Sequence, residues 1–417
     1  MTYGVVKPGP EDPDGVLFIR GGDIADGRVL TGQLRTITRE VSEQYRRTQL
    51  RGGELVISLV GNPGQVAIVP TSLKGANIAR QAGLVRLRED VDVHFVKYFL
   101  GSQNGQESLG AHSLGSVQQV INLRDLKTVL IPTPPLTEQR AIAHILGTLD
   151  AKIELNRQMN ETLEAMARAL FRSWFVDFDP VRAKAEGRNP GIPRPLADLF
   201  PESFEDSELG EIPKGWRVGH FGDVVEQLRD QENPLSSPDV LYHHFSLPAF
   251  DEGQSPKIEY GATIKSLKSR LPTGVVLLSK LNPEIERVWL ADVCPGERSV
   301  CSTEFLVLRA RSPFTRSFVY CLARSPLFRQ QVEGLVTGTS KSHQRAQVDS
   351  ILNLAAVLPT SSIAAAFDRS ADSLLVRTLE CRRESRTLAA LRDVLLPELI
   401  SGEIRVRVGH KAVQPTV

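Results

Sequence analysis

The chain repeats itself once. RTQLRGGELVISLV (47–60) lies over KSRLPTGVVLLSKL (268–281) at an offset of 221, matching Leu50 to Leu271, Gly53 to Gly274 and Ser58 to Ser279. At the same offset GLVRLR (83–88) lies over EFLVLR (304–309), and Tyr98 falls on Tyr320 one residue later. VLIPTPP from Val129 mirrors AVLPTSS from Ala356 at an offset of 227, and each of these proline-containing stops precedes a long helical segment. A period above 200 residues is far longer than a solenoid unit. The chain is therefore a duplicated two-part module and not an array.

Each copy opens with a mixed region in which short β-branched runs (ELVISLV, QVAIVP; VVLLSKL, RVWLADV) are separated by Gly, Pro and Asn, the pattern of short strands and turns. A helix follows. The first begins after Pro134 and Pro135, with Thr137 as N-cap and Glu138 placed to favour the helix dipole. Its seam residues alternate four and three apart through Ile142, Leu146, Leu149, Ile153, Asn156, Asn160, Leu163, Ala167, Leu170 and Trp174, a coiled-coil spacing. About 38 helical residues make a rod on the order of 55 Å long, which must pack on another helix. Asn156 and Asn160 cost stability in such a seam but can set register and partner.

The second helix is expected from about Ile363 to Leu396, ending at Pro397, with Arg382, Arg383 and Arg386 on a solvated face. Two such helices, each after a copy of one module, most simply pair antiparallel and hold the modules at opposite ends. The expected fold class is mixed α/β, with two similar domains separated by two long antiparallel coiled-coil helices. The boundaries read as 1–133 for the first module, 134–182 for the first helix, 183–215 for a Pro-, Gly- and acid-rich linker, 216–359 for the second module and 360–408 for the second helix and C-terminal segment.

Composition removes several function classes. Hydrophobic residues make up 41% and charged residues 24%, which excludes a disordered chain. No run approaches the ~18 apolar residues of a membrane span, and the N-terminus has no basic-then-apolar leader, so a cytoplasmic location with no membrane partner is expected. The four cysteines include no C-x-x-C pair, and the eight histidines are scattered. His243 and His244 would point to opposite faces of a strand, so no metal site is expected. Walker A, G-x-G-x-x-G, H-E-x-x-H and G-x-S-x-G sequences are all absent, and Asp177 and Asp179 read as turn residues before Pro180. Net charge is only +1, which argues against wrapping nucleic acid by bulk charge, although 37 of the 50 basic residues are arginines, whose fork suits phosphate and guanine.

Against that background, PPLTEQRAIAHILGTLDAKIELNRQMNETLEAMARALFRSWFVDFDPVRAKAEG (134–187) resembles the central region of the specificity (S) subunit of Type I restriction-modification systems. RESRTLAALRDVLLPELISGEIRV (383–406) resembles the distal region of the same family. GEIPKGWRVGHFGDVV from Gly210 looks like the opening of a target-recognition domain, and FIRGGDIADG from Phe18 resembles a segment inside the first. The resemblance covers essentially the whole chain. It implies a non-catalytic, sequence-specific DNA-recognition subunit active in phage defence. Each target-recognition domain would read one half of a bipartite sequence in double-stranded DNA, with the helices as spacer. Partner modification subunits would methylate adenine with S-adenosylmethionine, and a restriction subunit would cut with ATP and Mg. No cofactor is then expected in this chain. The alternative is a truncated coiled-coil adaptor that docks modification subunits without binding DNA.

DNA-facing residues must lie in polar, Gly-flanked loops, where exposed donors reach base edges. In the second module these are Ser340, Lys341, His343, Gln344 and Arg345; in the first, His112, Ser113, Ser116, Gln118 and Gln119. Arg46, Arg47, Lys265 and Lys268 are candidates to grip phosphate. One asymmetry stands out. Trp216 lies 37 residues before Gly253, whereas Gly27, its match, has only 26 residues before it. The first module is accordingly expected to lack the opening Trp-containing stretch and to expose a strand edge.

Overall fold

A computed structural model of the protein describes residues 1–25, 27–110, 113–114, 120–335 and 344–406. They form two compact units, one of residues 1–154 with the segment from 387 onward, the other of residues 155–386. Both are mixed α/β, and the same plan recurs in each.

In the first unit Leu55–Ser58 is buried throughout and is an inner strand of an antiparallel sheet ordered Val66–Ile68, Leu55–Ser58, Ala82–Val85, Thr2–Tyr3. Because side chains alternate across a strand, Leu55 and Ile57 meet Phe95 and Phe99 of the helix Val93–Gly101, while Val56 meets Ile19, Ala67 and Leu84 on the other face. A second sheet, Arg35–Ile37, Val16–Ile19, Asn77–Ile78, contains one parallel pair, Phe18 against Asn77.

The second unit builds the same sheet from Val225–Leu228, Phe305–Ala310, Val275–Ser279 and Val288–Leu290, covered by the helix Arg316–Ala323. Its second sheet also contains one parallel pair, His243 against Ser299. Strand register corrects one sequence match. Ile57 faces Gly83 and Leu278 faces Leu306, so Gly83 corresponds to Leu306 and not to Glu304. The apolar character of the two runs hid a two-residue difference in the connection before them.

The two long helices are Leu136–Phe175 and Ser361–Ser401, and each contributes to both units. In the first unit Ile142 and Leu146 share a core with Leu399 and Ile400, and Asp150 bonds Arg392, so the helices run antiparallel. In the second unit Asn156 bonds Glu384 and Phe171 packs on Phe367, again antiparallel. The seam residues Ile142, Leu146, Asn156, Ala167 and Trp174 are buried, and Leu149, Ile153, Asn160, Leu163 and Leu170 are half-buried.

Four local expectations need correcting. The first helix starts at Leu136, so Thr137 lies inside its first turn and is not the N-cap; the Pro135 carbonyl accepts the first helical bond, from the Gln139 N–H. The second helix runs through Pro397 to Ser401. A proline inside a helix costs about 3 kcal/mol, and the burial of Leu399 and Ile400 immediately beyond it offsets that. Arg382, Arg383 and Arg386 are paired charges and not a free solvated face, although the Arg383 side chain stays 48% exposed. Arg382 donates to Glu164 at 2.6 Å and to Gln254 at 2.8 Å, while Arg383 and Arg386 converge on buried Asp292. Charge runs are ambiguous in sequence because their partners lie more than 80 positions away.

The stretch 183–215, read as a linker, is folded onto the second unit. It carries the hairpin Phe204–Ser207 with Gly210–Pro213, and buries Phe200 against Trp174, with ring centroids 5.1 Å apart. Next to it Trp216 packs on Phe175 and Phe178, and the strand that follows, Arg217–His220, pairs with Ala355–Leu358. In the first unit the counterpart of Ala355–Leu358, Val129–Ile131, has no strand partner among the described residues, and Leu130 is 88% exposed.

Candidate nucleic-acid interface

After each polar loop singled out in the sequence, the chain rejoins its module at an equivalent point. In the first, the chain returns from the loop to bridge Val120 to Val60; in the second it returns to bridge Arg345 to Leu281. Val60 and Leu281 are 221 positions apart, the offset of the repeat. Flanking bonds agree: Leu59 N–H donates to Gln81 O and Ile121 N–H to Leu59 O in one module, Lys280 N–H to Glu304 O and Ala346 N–H to Lys280 O in the other. The residue after each bridge is left-handed, Gly61 (φ 93°) in the first module and Asn282 (φ 49°) in the second. Asn is the side chain that tolerates this conformation best after Gly. The hydrogen-bonded ladder thus places Val120 and Arg345, at the return from each loop, beside the same end of the same sheet strand in the two modules.

Ser340, Lys341 and His343, with His112, Ser116, Gln118 and Gln119, lie outside the described residues, as does the Ser113 side chain. Gln344 and Arg345 are described. Gln344 O accepts from the Asn282 N–H at 2.8 Å. Arg345 makes a side-on bidentate pair with Glu304, at 3.1 Å from Nε and 2.7 Å from Nη2. Glu304 was not read from the sequence, since no local pattern links it to a residue 41 positions on.

The phosphate-gripping candidates differ among themselves. Arg46 and Arg47 are exposed on a single 3-10 turn, Arg46 with Glu43 at 3.3 Å and Arg47 with its carbonyl accepting from Arg86. Lys265 is exposed. Lys268 is half-buried with its ammonium on the Ser266 hydroxyl, and burial pushes it below the usual lysine value. Arg46 and Arg47 belong to one module, Lys265 and Lys268 to the other.

Two ion-pair groups anchor the modules to the long helices. In the first unit Asp150 accepts from Tyr98 at 2.7 Å and from Arg392 at 2.9 Å, with Lys97 at 3.6 Å. Burial raises the Asp150 carboxyl, yet these donors hold it below the ordinary carboxylate range. In the second unit Glu164 takes Arg324 and Arg382, and the three side chains are almost buried. His243 and His244 lie on the strand Leu241–Phe245 beside Glu297 and Glu259 respectively. Among the described residues no three His, Cys, Asp or Glu side chains are placed to hold a metal, and no helix is long and apolar enough to cross a membrane.

Residues 10–165 match the sequence model of the Type I restriction modification DNA specificity domain. The Type I restriction enzyme HindI specificity subunit of Haemophilus influenzae is 24% identical, over 93% of this chain and 94% of that protein. The MjaIX specificity subunit of Methanocaldococcus jannaschii is also 24% identical, over 89% of this chain and 82% of that one. A solved Type I restriction-modification S subunit from M. genitalium shares the fold, with a TM-score of 0.57 at 13% identity over 96% of this chain and 92% of its own. With the domain match in its first module and full-length relatives across both, the chain is similar to the specificity subunits of Type I restriction-modification systems.

Proposed function

We propose that the chain is the sequence-specific DNA-recognition subunit of a Type I restriction-modification complex, each module reading one half of a bipartite target. The observation that carries this is the equivalence of the two loop anchorages, Val60 to Val120 and Leu281 to Arg345, on a duplicated sheet. Two copies of one reading device, with different residues at the tips, suit two different half-sites. The helices set the gap between the half-sites and offer the surface for two modification subunits. These partners methylate adenine with S-adenosylmethionine, and a restriction subunit uses ATP and Mg; this chain holds none of these cofactors and performs no chemistry of its own.

The test is the methylated motif in cells carrying the complex, read by genome-wide modification mapping, together with duplex binding by the purified complex at several salt concentrations. A bipartite motif and a linear fall of log affinity with log salt are expected, because phosphate contacts release counterions. A complex that assembles but shows neither would make the chain a docking adaptor. Adding one heptad to both helices lengthens the pair by about 10 Å, close to three base-pair steps, and is expected to widen the gap in the motif.

A further inference from the structure

The pair of Glu304 and Arg345 is fixed from both sides. Arg345 is held by its bridge to Leu281 and by the neighbouring bond from Ala346 N–H to Lys280 O; Glu304 is held by the Lys280 N–H on its carbonyl and by the Ser302 hydroxyl, which accepts from its own N–H. The Arg345 side chain is 54% exposed and that of Glu304 21%. Since Nε and one Nη2 hydrogen are engaged by the carboxylate, the remaining donors are the two on Nη1 and one on Nη2, along the outer edge of the guanidinium. An exposed ion pair contributes little to folding, so stability does not account for this arrangement.

We propose that Glu304 is a positioning residue that presents Arg345 to a guanine in the half-site read by the second module. The inference rests on the DNA-recognition reading above. Two parallel donors on a planar fork match the O6 and N7 acceptors of guanine in the major groove. A neutral pair has little net attraction for a phosphate, whereas a base edge is uncharged and asks only for aimed donors. Pre-alignment by Glu304 also removes rotamer freedom that a free arginine would lose on binding. The equivalent positions in the first module, fixed by the matching backbone bonds, are Gln81 and Val120, and these two residues cannot form such a pair.

The test uses the whole complex with Arg345→Lys, Arg345→Ala, Glu304→Ala and the double variant Glu304→Ala/Arg345→Ala. The readouts are the methylated motif and affinity for duplexes differing at single positions. In the Arg345 variants one guanine of a single half-site is expected to become degenerate, its preference falling roughly ten- to a hundred-fold. The other half-site stays unchanged. Glu304→Ala loosens the same position by a smaller factor, and the double variant is no worse than Arg345→Ala alone. Arg345→Lys keeps charge and length, so it carries the test if the alanine variants fold poorly. Three results overturn the proposal: an unchanged motif in every variant, a uniform loss of affinity with a shallower salt slope, which marks a phosphate contact, or a wild-type half-site with no guanine. A wild-type complex that binds no DNA overturns the underlying reading and this proposal with it.

Discussion

The two units hold the same pair of helices by different chemistry. In the first, the contact is aliphatic, Ile142 and Leu146 with Leu399 and Ile400, beside a partly solvated cluster of Tyr98, Asp150, Lys97 and Arg392. In the second it is aromatic, with Phe171, Trp174, Phe175, Phe318 and Phe367 stacked edge to face, joined by Trp216 and Phe200 and flanked by the almost buried group of Arg324, Glu164 and Arg382. Aromatic pairs add about 0.5–1.5 kcal/mol beyond the area they bury. A shared plan does not require a shared core. The second unit also folds the 183–215 stretch onto its helices and pairs Arg217–His220 with Ala355–Leu358, whereas Val129–Ile131 of the first has no strand partner among the described residues.

That contrast can be broken by experiment. Phe367→Ala removes the ring around which four others pack and is expected to destabilise the second unit by about 3–5 kcal/mol, against about 2–4 kcal/mol for Leu146→Ala in the first. Hydrogen exchange, read separately for each unit, checks this; equal losses would erase the distinction. Next in size, Glu164→Gln strips charge from a site where Arg324 and Arg382 are buried and is expected to cost about 3 kcal/mol. Asp150→Asn, in a wetter site, should cost about 1 kcal/mol in denaturant titration.

Acid sharpens the comparison from another side. Burial raises the Asp292 carboxyl, but hydrogen bonds from Arg383 and Arg386 bring it below its ordinary value, as Tyr98 and Arg392 do for Asp150. A carboxylate depressed in the folded state contributes stability that is complete above its unfolded value, about 3.9, and lost as pH falls through the lower folded value. Melting temperatures followed below pH 4 should therefore drop, and Asp292→Asn should flatten that drop in the second unit while leaving the first unchanged. The smallest effect is expected from Asn156→Leu. Asn156 Nδ2 donates to Glu384 at 2.9 Å while its buried Oδ1 has no partner, so gain and loss nearly cancel in the melting temperature. Helix register and partner choice, read by cross-linking, should change more than stability.

Much of this was legible in the chain. The offset of 221 located both copies of the sheet strand, because a buried strand leaves a run of β-branched and apolar residues that survives duplication. The four-three spacing from Ile142 to Trp174 located the body of a 40-residue helix, although the segment drawn as 134–182 overruns its end at Phe175 by seven residues. Less was legible at the candidate site. Backbone bonds, and not side-chain identities, make the two loop anchorages equivalent, so Val120 and Arg345 carry no common mark in sequence.

The sequence by itself determined the duplication, the mixed α/β class, the two long helices and the resemblance to specificity subunits, since each is written in periodicity or in long ordered motifs. Only the tertiary structure decided where charges go. Arg382, Arg383 and Arg386 read the same as any solvated run until Glu164 and Asp292 arrive from distant parts of the chain, and Arg345 reads as one loop arginine among several until Glu304 orients it. The physical reason is range. Apolar periodicity is a local property of one element, whereas the worth of a charge depends on burial and on partners that the fold alone brings within about 3 Å.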